Sequence, residues 1–132
     1  MSGQTFDQWW AEKEQYITAA VGLLNVPLSE DADAMWGQIT EVERYLGYFY
    51  LLLARADGFL DEAQHRELEL LVRKYGQKGL AAYEKETAVN ASVSSVREAR
   101  DTIRGVIDTI QRRVSLAQSR LAYIKNLPRV EG

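Results

Sequence analysis

The clearest hydrophobic pattern in the chain lies toward its C-terminal end. Between Ser94 and Leu127 the apolar positions are Val96, Ala99, Ile103, Val106, Ile110, Val114, Ala117, Leu121 and Ile124. They recur every three or four residues, which places them on one stripe of an α-helix. A helix over 94–127 would be ~50 Å long at ~1.5 Å per residue, too long for its stripe to be enclosed by a single small element. Such a stripe needs a second helix alongside it, from the same chain or from a copy.

The rest of the chain has the same period. Thr5 followed by Gln8 resembles a capping box, which satisfies free amide donors at a helix start. It predicts a first helix from about Phe6 to Leu24, with Trp10, Ile17, Val21 and Leu24 inward and Trp9 and Tyr16 beside them. Asn25-Val26-Pro27 ends it, because proline disfavours helical geometry in the residue before it. Ser29 is the expected cap of a second helix from Glu30 to Tyr75, with Glu30, Asp31 and Asp33 favourably placed in its first turn. Its stripe reads Leu46, Phe49, Leu53, Ala56, Leu60, Ala63 and Leu70. The spacing continues through Asp57-Gly58, and a bend is expected near Gly37. Gly76 suits the position after a helix C-terminus, and Arg73 and Lys74 suit its last turn.

A turn over 77–79 and a short helix from Leu80 to about Ala91 form an elbow. Ser92, Ser94 or Ser95 would cap the long last helix, which Leu127-Pro128 ends. The expected fold class is therefore all-α. It is a long antiparallel, coiled-coil-like hairpin with an N-terminal helix and a short elbow helix, in one domain over 1–132. Its segments are 1–28, 29–76, 77–93, 94–127 and a tail over 128–132.

Composition changes this picture little, but charge distribution adds to it. The chain of 132 residues has net charge −3. Residues 1–75 hold six basic and thirteen acidic residues, net −7, and residues 76–132 hold ten basic and six acidic, net +4. The average conceals an acidic half and a basic half. With no cysteine, disulfides and thiolate metal sites are excluded, which fits a reducing compartment. No run of ~20 apolar residues suggests a membrane span, and the N-terminus does not read as a signal peptide. The expected location is the cytoplasm, that of the host if the chain is phage-encoded.

Candidate chemistry is concentrated in the basic half. Arg97, Arg100 and Arg104 are three and four apart, on one helix face. Arg112, Arg113, Arg120 and Lys125 extend the strip, interrupted by Glu98, Asp101 and Asp108. Arginines along a helix neutralise successive phosphates of a nucleic acid without reading its sequence, and Tyr123 is placed to stack a base. The competing reading is that these arginines pair with carboxylates of the acidic half. The only histidine, His65, lies between Gln64 and Arg66 and reads as a surface residue, without the constellation that catalysis requires. No nucleophile elbow or phosphate-binding glycine pattern is present. The expectation is a protein that is not an enzyme, with no cofactor and no metal.

Two family resemblances are carried by short words. The stretch ADGFLDEAQ is similar to the A-D-G-x-x-x-x-E signature of TerB-like helical domains, which would imply a divalent cation near Asp57, Asp61 and Glu62. More extensively, Tyr83-Glu84-Lys85-Glu86, then VNASVSSVREARDTI, then a long helix carrying Ser119-Arg120, Ile124-Lys125 and Glu131-Gly132, resembles the C-terminal half of the tailed-phage recombination mediators, the UvsY-like family. That resemblance covers about residues 41–132. It implies a bacteriophage DNA-recombination and repair protein that binds single-stranded DNA. Such a protein helps load a recombinase onto DNA covered by single-strand-binding protein, and assembles as a homo-oligomer, a ring by family habit. It adds Arg73, Lys74, Lys78 and Lys85 to the expected DNA-binding set. The apolar positions Leu46, Phe49, Leu53, Leu60, Ile103, Val106, Ile110, Val114, Leu121 and Ile124 are the expected oligomer interface. The alternatives are a helical oligomeric structural or adaptor protein, such as a phage assembly component, or a TerB-like stress-response domain.

Overall fold

The computed structural model describes residues 4–76 and 81–126, the side chain of Tyr83 excepted. Among them lie four helices, α1 (Phe6–Leu24), α2 (Ala32–Tyr75), α3 (Ala82–Ser92) and α4 (Ser94–Lys125), and no strand.

The helix ends follow local chemistry. At the start of α1 the Gln8 N–H donates to Thr5 Oγ1 at 3.3 Å and the Thr5 N–H donates to Gln8 Oε1 at 3.1 Å, a completed capping box. The cap of α2 is Asp31, whose Oδ2 accepts from the Ala34 N–H at 2.9 Å. Ser29, expected in that role, instead accepts the Asp31 N–H at 3.1 Å. Its own N–H donates to Gln38 Oε1 at 2.7 Å, while Gln38 Nε2 donates to the Pro27 carbonyl at 3.0 Å. One side chain of α2 thus fixes the α1–α2 connection.

Helix α2 runs unbroken through Gly37, Gly47 and Gly58 for 44 residues, ~66 Å at ~1.5 Å per residue. It ends at Gly76, whose φ of +75° lies where L side chains are strained. No serine caps α4. Val93, only 1% exposed, is the junction between α3 and α4, and its carbonyl accepts the Arg97 N–H at 3.0 Å. Burial of an apolar hinge residue sets this joint in place of a polar cap. The expected turn over 77–79 with Leu80, and Leu127 with the expected tail over 128–132, lie outside the described residues.

Helices α2 and α4 form the antiparallel hairpin. Met35 and Ile39, near the start of α2, pack with Ala117 and with Leu121 and Ile124 near the end of α4. Helix α1 lies along both, antiparallel to α2: Phe6 meets Phe59 at 5.7 Å between ring centroids, and Tyr16 meets Tyr48 at 5.5 Å. Its inward face is Trp9, Ile17 and Ala20, rotated from the expected one, so that Val21 is exposed. Along α2, Leu52, Phe59 and Leu71 join the core, whereas Leu70 is exposed.

The core settles which partner the α4 stripe takes. Phe49, Ile103 and Ile110 are fully buried, with Leu60 and Val106 nearly so. Leu46, Leu53 and Val114 pack against that cluster, and Leu121 and Ile124 against the smaller one at the far end. The ten positions expected to join subunits are therefore a seam inside the chain. Burial of each such side chain contributes ~1.5–3 kcal/mol, and a helix of the same chain reaches it without the entropy cost of association. Among the described residues no polar or charged side chain is buried, and no helix is long and apolar enough to cross a membrane.

Candidate nucleic-acid interface

With its apolar stripe on α2 and α1 along one flank, α4 turns its remaining side to solvent. At 3.6 residues per turn, Arg97 lies about 20° from Arg104 around the axis, Arg100 about 40° to the other side and Arg112 about 80° away. These four form an outward row over half of the helix. Arg97 is half-buried, and its Nη2 donates to Asn90 Oδ1 at 2.9 Å, tying α4 to α3. Arg100 is the member engaged by a carboxylate, with Nη2 3.0 Å from Asp101 Oδ1. Arg104 and Arg112 are exposed and lie one turn either side of Asp108. Among the described residues no carboxylate comes within ion-pair distance of either.

The remaining basic residues do not join this row. Arg113 points back into the molecule: its Nη1 donates to the Leu24 carbonyl at 3.1 Å, satisfying a free acceptor at the end of α1. Its Nε is buried and has no hydrogen-bond partner among the described residues. Burial holds the guanidinium below its usual pKa, since desolvation disfavours the charged form. Arg113 is thus part of the fold, contrary to its expected place in the DNA-binding set. Arg120 lies about 160° around the axis from Arg104. It lines two adjoining clefts of about 580 and 510 Å³ between α4 and the α1–α2 connection. Tyr123, 68% exposed, lines the second of these clefts, about 20° around the axis from Arg112 and roughly three turns further along. Lys125 is exposed at the last turn.

At the opposite end of the hairpin, Arg73 and Lys74 are exposed in the last turn of α2. Lys74 Nζ lies 5.2 Å from the centre of the Tyr75 ring. Lys85 is half-buried on α3, and Lys78 lies outside the described residues. From Arg97 to Lys125 the basic groups of α4 extend over ~42 Å, so they form no single concentrated patch.

Several residues that matter here were not singled out by spacing. Asn90 positions Arg97, and Leu116, an apolar residue off the stripe and 48% exposed, walls the first cleft. Leu116 had a signal, since it stands alone on a polar face. Arg55 had one too: its guanidinium stacks over Phe59 at 4.5 Å, four residues further along the same helix, a pair that helical spacing brings together.

His65 is exposed, with Nε2 3.3 Å from Glu69 Oε1. Asp57 and Asp61 lie one turn apart on α2, but among the described residues no three potential ligands are gathered to hold a metal ion. Comparison with protein-family models, with curated proteins and with solved structures finds no match to this chain.

Proposed function

We propose that this chain is a non-enzymatic helical protein that binds single-stranded DNA through the outward row of α4, in the manner of a phage-type recombination mediator. The observation that carries the reading is the state of Arg104 and Arg112. Both are exposed, neither has a carboxylate partner among the described residues, and both sit on a helix whose opposite face is already spent on the core. Guanidinium groups held ~12 Å apart on a rigid rod suit the repeating charge of a phosphate backbone. Arg97, fixed by Asn90, extends the row toward α3.

A monomer of net charge −3 presents only a weak basic strip. A homo-oligomer, such as a ring, would gather several strips on one strand and raise avidity without new contacts. Since the apolar seam is internal, subunits would meet through other surfaces. A recombinase and a single-strand-binding protein are the partners this reading implies, in the host cytoplasm. Titration with a labelled oligonucleotide across a salt series tests it: binding that weakens as salt rises supports it, and silence at low salt removes it.

A second reading, a structural or adaptor protein, has its own support. On the solvent side of α2, Leu51 is 72% and Trp36 60% exposed. Large apolar groups left outward on a long helix mark a protein contact more often than a nucleic-acid one.

A further inference from the structure

We infer that the two adjoining clefts between α4 and the α1–α2 connection form a docking groove for an acidic peptide segment of another protein, one that carries apolar side chains among its carboxylates. The groove runs beside α4 from Arg112 to Ile124, ~18 Å along the axis. Leu24, Leu28 and Leu116 make its first cleft apolar, and Arg112, Arg113 and Arg120 stand around them. Across Leu28 and Arg120 the second cleft continues over Met35 and Ile124 to Tyr123.

Charge decides what fits. Among the described residues Glu30 is the one carboxylate lining either cleft, against three guanidinium groups. No ion pair joins Glu30 to Arg120 among the described residues, and Asp31 nearby is occupied by the Ala34 N–H. Arg113 keeps an unpartnered Nε in this region. A bare polyanion would leave the leucine floor wet, and an apolar peptide would desolvate the arginines without replacing their water. A segment with both carboxylates and apolar anchors satisfies both sets, as in helix-in-groove recognition. The inference goes beyond the nucleic-acid reading and does not rest on it: Arg112 is shared with the row, but Arg120, the central cation of the groove, lies about 160° around the axis from Arg104.

The test uses the full chain and fluorescence anisotropy. The probe is a labelled peptide of about twelve residues, half aspartate, with leucine and phenylalanine spaced for one face of a helix. A control of the same charge replaces the apolar residues by serine, and oligothymidine serves as competitor. The expected result is saturable binding of the amphipathic probe, at least about tenfold tighter than the serine control. Arg120→Glu and Leu116→Ser should each weaken it by about tenfold or more. Arg44→Gln, on the far side of α2, should leave it unchanged, with thermal melts confirming that each variant folds. Equal binding of the serine control, or indifference to both groove variants, overturns the inference. So does displacement by oligothymidine with the same residue dependence, which would make the groove a polyanion surface.

Discussion

The Arg113 guanidinium donates to the Leu24 carbonyl at 3.1 Å, joining the end of α1 to the middle of α4 across 89 residues of sequence. It is the contact through which a cation expected on the DNA face becomes part of the scaffold. Removing it should cost what a hydrogen bond from a charged donor typically contributes. Arg113→Ala is expected to lower stability by about 2 kcal/mol. Arg113→Met, which keeps the packed stem and removes the unpartnered Nε, should cost less. Urea denaturation of the two variants checks the order, and an equal loss would show that the hydrogen bond alone is at stake and the packed stem contributes nothing.

The seam between α2 and α4 makes a second prediction. Ile110→Ala and Phe49→Ala, both at fully buried positions, should each destabilise by about 2–5 kcal/mol. Because the seam is internal, the gap in unfolding midpoint between each variant and the wild type should not change when protein concentration is changed tenfold or so. A gap that changes with concentration would assign the seam to subunit contacts after all.

At the start of α1, Thr5→Ala removes half of the capping box and should cost about 1 kcal/mol. Trp9, 4% exposed and 5.3 Å from Phe59 between ring centroids, should cost far more on truncation, about 3–5 kcal/mol. If both effects are small by thermal melting, α1 contributes little to the bundle.

The outward side of α2 separates the two functional readings. Leu51→Asp should change monomer stability by less than about 0.5 kcal/mol, since the side chain is mostly in water. If the chain is an adaptor, the same change should dissociate its assembly, read by size-exclusion chromatography with light scattering. If the nucleic-acid reading holds, oligonucleotide affinity per monomer should persist.

Much of the fold was legible because it rests on local signals. The three-and-four spacing from Val96 to Ile124, the Thr5–Gln8 pair and the Pro27 stop each act within a few residues, and each appears where the period places it. What spacing could not supply was the partner of a stripe: Ile103 and Ile110 read the same whether α2 or a second copy covers them. The α2 cap shows the same limit, because Ser29 and Asp31 both qualify locally and Gln38, nine residues from Ser29, decides between them. The basic strip was legible as a composition and illegible as a surface. Arg112 and Arg113 are neighbours in sequence, yet one faces solvent and the other the end of α1, a difference that only the docking of α1 creates.

The claim that matters most is that the exposed row on α4 meets phosphates. The direct measurement is single-stranded oligonucleotide affinity over a salt series for the wild type and Arg104→Gln. The account predicts a linear fall of log affinity with log salt, and a slope smaller by roughly one in the variant. No binding at low salt, or identical affinity and slope for the two proteins, would contradict it.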